Sequence, residues 1–477
     1  MKDGVRVRFA PSPTGLLHIG NARTALYNKL FALQHDGAFI LRIEDTDVVR
    51  HDPAAEAAIM DDLRWMGLEW DEGPEVGGKH GPYRQSERRE VYREYAQRLL
   101  QEEKVYPCYC TPEELTEMRE QLLARGERPR YLRRCLGLSP QQARELEKEG
   151  RKPSLRFKVP EGSTVVRDII HGKKVFENKL VGDFVIMRSD GSPAYNFAAV
   201  VDDALMAITH VIRGEDHLPN TPRQILLYEA LAFTPPHFAH HPLLVAPDGE
   251  RLSKRHGAVS VRSYREEGFL PQAVANYLVL LGGGITGGEE IMPWAEMVRR
   301  FSLEGIARSP AAFDPGKLRW LNRGHMRAMR GEEILPYARP FLQDLSRKDV
   351  TEGWLVQALD AVKENAETLA ELKGHISTLL PGEFSLDDEA RSVLAEDGAL
   401  EVVKAMEEIV IGLEELDEAD FPRIVSELKK RTERKGKGLF SPIRAAITGK
   451  VEGPELKKVI PLLGKRVILE RLAQALK

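Results

Sequence analysis

A histidine at the point where a strand turns into a helix can touch a phosphate. The stretch Pro11-Ser12-Pro13-Thr14-Gly15-Leu16-Leu17-His18-Ile19-Gly20 puts His18 at such a point. Free backbone N–H groups and the helix dipole favour an anion there, and an imidazole can donate a hydrogen bond as charge grows on it. A second stretch, Gly249-Glu250-Arg251-Leu252-Ser253-Lys254-Arg255-His256-Gly257, is a glycine-bounded basic loop that could close over a triphosphate. Lys254 would neutralise charge developing on a leaving pyrophosphate, a positioning and electrostatic role that needs no protein nucleophile. Each stretch alone has a plainer reading: a proline-stiffened turn with one surface histidine, and a solvated basic turn. Neither G-x-G-x-x-G nor G-x-x-x-x-G-K-[ST] follows the first strand.

The elements that must carry these residues are legible by period. Val5, Val7 and Phe9 alternate with Arg6 and Arg8, which predicts a strand with one buried face. The prolines of the following turn exclude helix. Ala22, Leu26, Leu30 and Leu33 then share a helical face that Asp36-Gly37 ends, and Ala38 to Ile43 reads as a second, more buried strand running into Glu44-Asp45. Strand, helix and strand in this compass mean a right-handed crossover in a parallel sheet, with ligands beyond the carboxyl ends of the strands. Arg8, Ser12, His18 and Glu44 are thereby expected around one crevice.

The fold class expected is α/β: a Rossmann-like parallel-sheet catalytic domain with an α+β insertion, followed by an all-α C-terminal region. Residues 1–100 would form the first half of the sheet domain, 101–193 the insertion, 194–257 the second half, 258–325 a helical region and 326–477 a helical domain. Charged helical stretches (Pro112 to Arg125, Pro140 to Lys148) and short alternating strands mark the insertion. In the tail, Leu355, Leu359, Val362, Ala366, Leu369 and Leu372 make an apolar stripe.

Bulk properties set limits. A chain of 477 residues is too long for one core. Its 42% hydrophobic and 30% charged residues are those of a globular protein. No apolar run would span a bilayer, and Met1-Lys2-Asp3-Gly4-Val5-Arg6 lacks a signal-peptide core. Three cysteines fit a reducing cytoplasm better than a disulfide framework. With a net charge of −4, a polyanionic partner would have to be held by local basic patches.

Taken together, the separated stretches change the odds. H-I-G early and L-S-K-R late resemble the paired "HIGH" and "KMSKS" signatures of class I aminoacyl-tRNA synthetases. Phe9 to Gly15, Arg42-Ile-Glu-Asp-Thr-Asp47, Gly81 to Arg88, Val211-Ile-Arg-Gly-Glu-Asp-His217 and Leu252 to Gly257 are similar to the bacterial glutamyl-tRNA synthetases in particular. The likeness runs from residue 5 to beyond 320 and resumes weakly at Ser441-Pro-Ile-Arg-Ala-Ala-Ile-Thr-Gly449. It implies ATP-dependent activation of L-glutamate, assisted by Mg²⁺, and transfer to the terminal adenosine of tRNA-Glu. His18, Ser253 and Lys254 would be catalytic. Arg8, Ser12, Glu44, Tyr195 and Arg213 would bind glutamate, and Gly20, Asp216 and Arg251 would join His18 and Lys254 on ATP. A planar guanidinium fork suits carboxylates, and Arg213 speaks against glutamine, whose amide does not call for a cation. The expected enzyme is a cytoplasmic monomer. Arg251 and Asn21 depart from the signatures by standing where a lysine and a second histidine are usual.

The resemblance raises three further expectations. Cys108, Cys110 and Cys135 match a zinc site found in some members, but the expected histidine is Gly137; Tyr131 or a water would have to complete it, so a metal-free insertion is expected. Arg128, Arg130, Arg133 and Arg134 could meet the acceptor end, while Lys429 to Lys437 could meet the anticodon arm or be a solvated helix face. Discriminating members carry an arginine where Asn365 stands, which points to charging of tRNA-Gln as well. A glutaminyl-tRNA synthetase would have a β-barrel tail, a truncated tRNA-modifying relative would be shorter, and a dead paralogue would not keep Arg8, His18, Glu44, Arg213, Ser253 and Lys254.

Overall fold

The computed structural model describes residues 4–46, 52–250, 252, 259–285, 287–345, 350–380, 382, 384–414 and 416–477. Strands Arg6–Phe9 and Ala38–Leu41 pair in parallel, Arg6 opposite Ala38 through Phe9 opposite Leu41, and helix Ile19–Gln34 crosses between them. The first strand does not have the single buried face that its alternation predicts, for Arg8 is only 4% exposed. A parallel sheet is covered on both faces, and Arg8 can enter because the Asp203 carboxylate meets it.

A second parallel pair, His210–Gly214 with His237–His241, is bridged by helix Thr221–Ala230. Pro222 stands in the first turn of that helix, where its missing N–H costs nothing. Thr209 N–H donates to Arg6 O, and Arg6 N–H donates to the Thr209 hydroxyl, setting the two pairs side by side. Helix Tyr195–Leu205 leads into this half.

In the insertion, Val105–Cys108, Ser154–Phe157 and Phe184–Met187 form an antiparallel sheet. Helices Pro112–Ala124 and Pro140–Lys148 each begin with a reciprocal capping box, Thr111 with Glu114 and Ser139 with Gln142. The hairpin Ser163–Asp168 and Gly172–Glu177 reaches out of the insertion, Asp168 pairing in parallel with Phe238 of the strand His237–His241. Insertion and parallel strands accordingly belong to one compact unit, residues 1–262 and 275–314.

The second unit comprises residues 263–274 and 315–477, so the 258–325 stretch is divided between the two. Its helices enclose a core that includes Leu359, Val362, Leu372, Ile376, Met406, Ile447 and Leu472. The apolar stripe from Leu355 is not one helix. Helix Glu352–Val362 passes through a short 3₁₀ turn, Ala366 is extended, and a new helix, Leu369–Ser377, begins after Thr368. Asn322 Nδ2 donates to Glu367 O, and Leu369 N–H donates to Gly268 O, so main-chain groups freed by the break are satisfied by neighbours. Among the described residues no helix is long and apolar enough to cross a membrane.

Gly37 shows how tightly the first crossover closes. A Cβ there would stand 2.2 Å from Val5 O, the carbonyl that accepts the Ala38 N–H. Gly37→Ala is expected to cost roughly 1–3 kcal/mol, the usual scale for a forced backbone shift. Thermal unfolding would show it as a lowered midpoint, and an unchanged midpoint would contradict the packing described.

Candidate active site

Beyond the carboxyl ends of the parallel strands lies a crevice of about 570 Å³ lined by Arg8, Ser12, His18, Gly20, Glu44, Tyr195, Arg213, Asp216 and Leu252, among others. These include the described site residues that the sequence singles out on both halves of the fold. Arg251, Ser253 and Lys254 lie outside the described residues, as does Asp47 of the Arg42–Asp47 motif. The chain beyond the basic loop runs beside His18: Ile19 N–H donates to Val259 O, and Val261 N–H donates to Leu17 O.

His18 caps helix Ile19–Gln34, its Nδ1 accepting from Gly20 N–H at 3.1 Å. That fixes the tautomer with the proton on Nε2. Burial pushes the imidazole pKa down, which favours the neutral ring. A neutral donor at a helix N-terminus is suited to an anion that gains charge during reaction.

Behind the crevice is a dense ion network. Arg42 is fully buried and donates from Nη1 to Asp203 (2.6 Å) and from Nη2 to Glu44 (3.0 Å), with Asp202 3.8 Å from its Nε. Arg8 donates to the same Asp203 at 3.1 Å. Asp202 accepts from Arg88 (2.6 Å), Gln85 (2.8 Å) and the Tyr92 hydroxyl. Burial works against the Asp203 charge, but Arg8 and Arg42 outweigh it and leave its pKa lowered. For Glu44 burial wins over Arg42 and Arg8, and its carboxyl is pushed up.

Arg213 is held differently. Its Nε donates to His240 Nε2 (3.1 Å), and its Nη2 donates to Thr221 (3.0 Å) and Gln224 (2.7 Å). Its Nη1 faces the Tyr195 hydroxyl at 3.5 Å. Because His240 Nε2 accepts, its proton sits on Nδ1, which donates to Asp168 at 2.6 Å. Burial lowers the His240 pKa to about 4. Burial also opposes the Asp168 charge, but hydrogen bonds from His240 and from the His171 and Ile170 amides outweigh it. The insertion thus supplies, through Asp168, the residue that orients the partner of Arg213.

In the insertion, the Cys108, Cys110 and Cys135 sulfurs lie within 4.8 Å of one another, a compass that fits tetrahedral zinc. The Tyr131 hydroxyl meets Cys108 and Cys110 at 3.4 and 3.5 Å and accepts from Cys135 N–H at 2.9 Å. Arg156 donates to Cys108 at 3.2 Å. Gly137 adopts a φ of +93°.

Residues 4–320 match the family described as class I tRNA synthetases (E and Q), catalytic domain, and residues 333–476 match an anticodon binding domain. The chain belongs to the class I tRNA synthetases of the E and Q group. The glutamate–tRNA ligase of Carboxydothermus hydrogenoformans is 47% identical over 466 residues, 96% of this chain and 97% of that protein. Glutamate–tRNA ligase 2 of Syntrophus aciditrophicus is 45% identical over 99% of this chain and 97% of its own length. A crystal structure of the Elizabethkingia meningosepticum glutamate–tRNA ligase in complex with its amino acid superposes with a TM-score of 0.88 at 33% identity, covering 99% of both chains.

Sequence reasoning misses several residues of this synthetase site: Arg42 as its buried centre, Asp203, Asp168, His240, Thr221, Gln224 and Arg23, which is buried at the crevice wall against His241. The doubled acid in Val200-Val201-Asp202-Asp203 is a signal, since two charges on an apolar helix need partners.

The buried histidines give the synthetase a pH signature. His240, His210 and His325 all have pKa values pushed down by burial to about 4. They stay neutral while folded and take up protons on unfolding between about 6.5 and 4, so stability falls as pH falls through that window. The thermal midpoint is expected to drop from pH 7 to pH 5; a flat profile would show that these rings are not held neutral.

Proposed function

We propose that this chain is a glutamate–tRNA ligase, activating L-glutamate with ATP and passing the glutamyl group to the terminal adenosine of tRNA-Glu. The observation that carries the amino-acid specificity is Arg213. Its strong hydrogen bonds go to neutral groups, Thr221, Gln224 and His240, and burial lowers its pKa. A buried cation with neutral partners is stabilised by an incoming carboxylate and gains less from an amide. Arg8, matched by Asp203, has Nη1 left for a carboxylate among the described residues, and Glu44 offers an anion to the substrate ammonium. Ser12 and Tyr195 add hydrogen bonds.

ATP would be held by Gly20, Asp216 and Arg251, and Mg²⁺ bound with it would supply positive charge to its phosphates. The glutamate α-carboxylate attacks the α-phosphorus, and pyrophosphate leaves. His18 Nε2–H, Ser253 and Lys254 meet the charge that builds on the phosphates. The terminal 2′-hydroxyl of tRNA then takes the acyl group and releases AMP. Free cysteines suit action in a reducing compartment such as the cytoplasm.

Asn365 supports a wider tRNA range. It lines a cavity of about 670 Å³ in the helical unit, with His375, Thr378, Thr448 and Lys450. Glutamate and glutamine codons differ in their first base, so the third anticodon base is cytosine in one tRNA and guanine in the other. On the Watson–Crick edges, the donors of an arginine suit the two acceptors of cytosine, whereas a carboxamide carries a donor and an acceptor and can meet either base. Radiolabelled glutamate is expected to charge both purified tRNA-Glu and tRNA-Gln. Charging of tRNA-Glu alone would remove the Asn365 argument, and charging of neither would remove the enzyme assignment.

The thiol cluster favours a second reading, opposite to the metal-free expectation. Tyr131 places an oxygen where a fourth donor is needed in place of the imidazole that Gly137 cannot supply, and we infer a structural zinc held by Cys108, Cys110, Cys135 and Tyr131. When bound it would act as a cross-link within the insertion. Elemental analysis of chelator-washed protein is expected to find about one equivalent of zinc, lost in Cys110→Ser. No zinc would restore the metal-free reading.

A further inference from the structure

Arg471, in the last helical segment of the chain, is 1% exposed. Among the described residues no carboxylate meets it. Its Nη1 donates to Thr378 O (2.9 Å) and Ile447 O (2.7 Å), its Nη2 donates to Leu380 O (2.8 Å), and its guanidinium lies 5.1 Å from the Phe384 ring centroid. Burial pulls its pKa to about 10, so it remains a cation at neutral pH. A buried cation without an acid is an expensive way to fill a core. Carbonyls at helix C-termini are its best neutral partners, because the helix dipole makes them negative.

Those carbonyls end two different helices. Thr378 and Leu380 close Leu369–Ser377, and Ile447 closes Lys437–Thr448. The same two ends build the Asn365 cavity, Thr378 on one wall and Thr448 on the other. Gly449 then turns the chain at φ +75° into the stretch that carries Lys450, Glu452 and Pro454 along the rim. A Cβ at Gly449 would come 2.1 Å from Ser385 O, so that turn has no slack. The segment Ser441 to Gly449 thereby delivers one wall of the cavity.

We propose that Arg471 is a positioning residue for tRNA selection, its guanidinium fork fixing the separation of the two walls so that the cavity holds the third anticodon base. The inference rests on reading that cavity as the site of this base. A leucine could fill the same volume but offers no donor, whereas Nη1 ties Thr378 O to Ile447 O across the two helix ends and Nη2, in the same plane, holds Leu380 O.

The test uses the full chain, intact tRNA-Glu, and tRNA-Glu made abasic at the third anticodon position. Wild-type enzyme is expected to show about a tenfold higher KM for the abasic tRNA with kcat nearly unchanged. Arg471→Gln keeps two N–H donors but loses the fork. It should raise KM for intact tRNA by about tenfold and make removal of the base nearly silent, the non-additivity expected of groups acting as one unit. Arg471→Lys, milder for folding, should lie between. A merely structural lesion would lower the thermal midpoint and the active fraction while leaving KM and its base dependence as in wild type, and that result would overturn the proposal. So would a variant whose KM rises but whose tenfold response to the base persists. If wild-type enzyme itself ignores the missing base, the reading of the cavity fails, an outcome distinct from failure of Arg471 alone.

Discussion

The catalytic unit is organised around the buried guanidinium of Arg42. Three arginines (Arg8, Arg42 and Arg88) face three carboxylates (Glu44, Asp202 and Asp203) in a region almost closed to water. Strand Arg6–Phe9, the chain leaving Ala38–Leu41, the stretch before helix Arg89–Gln101 and helix Tyr195–Leu205 each contribute to it. Removing one member would leave an opposite charge stranded, which costs about 3–5 kcal/mol in buried networks. The same network sets the site's electrostatics. Because Asp203 is shared by Arg8 and Arg42, neither arginine is fully neutralised by it, and Arg8 keeps attraction for an anion in the crevice. Glu44, hydrogen-bonded to Arg42, attracted more weakly by Arg8 and desolvated beyond what the two offset, is left able to gain from an ammonium group.

How much of this can be read from the chain follows from the range of each interaction. His18, the proline turn and the crossover helix act within about one strand–helix unit, so period and turn chemistry display them directly. Arg8 and Asp203 stand 195 residues apart, and Asp168 and His240 stand 72 apart. No local pattern connects such residues; the sequence shows the arginines as plausible carboxylate binders and says nothing of what holds them. The burial of Arg8 is hidden for the same reason, because alternation assigns it to a wet face until its acid partner is known. Tyr131 is visible in the sequence as a possible donor. Its convergence with three thiols is fixed by main-chain geometry, Cys135 N–H pointing at its hydroxyl.

The helical unit shows a different limit. Leu355 through Leu372 fits a single stripe, and all but the first of its residues are buried, yet the backbone breaks at Ala366. Hydrophobic periodicity reports which residues face the core and cannot report that two consecutive helices face it at different angles. The break depends on acceptors and donors far along the chain, Asn322 and Gly268, that satisfy the interrupted ladder. It also brings Asn365 out of the helix, onto the edge of a cavity instead of its outer face. A substitution read from sequence as one polar residue for another therefore falls at a point where side-chain chemistry can choose between nucleobases.

Arg213 and Arg471 are both buried cations that meet no carboxylate among the described residues, yet they are held in opposite ways. Every hydrogen-bonding nitrogen of Arg471 but Nε is spent on main-chain carbonyls, which come from helix ends and cannot leave. Its charge is compensated by fixed dipoles, so it behaves as a staple whose removal loosens geometry. The partners of Arg213 are side chains, and among the described residues its Nη1 edge has only the long contact to Tyr195, at the lip of a crevice. The Asp168–His240 pair steadies the opposite edge while the neutral imidazole between them keeps the acid from cancelling the guanidinium charge. A direct Asp168–Arg213 pair would have been the stronger bond and would have left nothing to attract a substrate carboxylate. Interposing a histidine with a pKa near 4 holds the arginine in place and leaves its charge available.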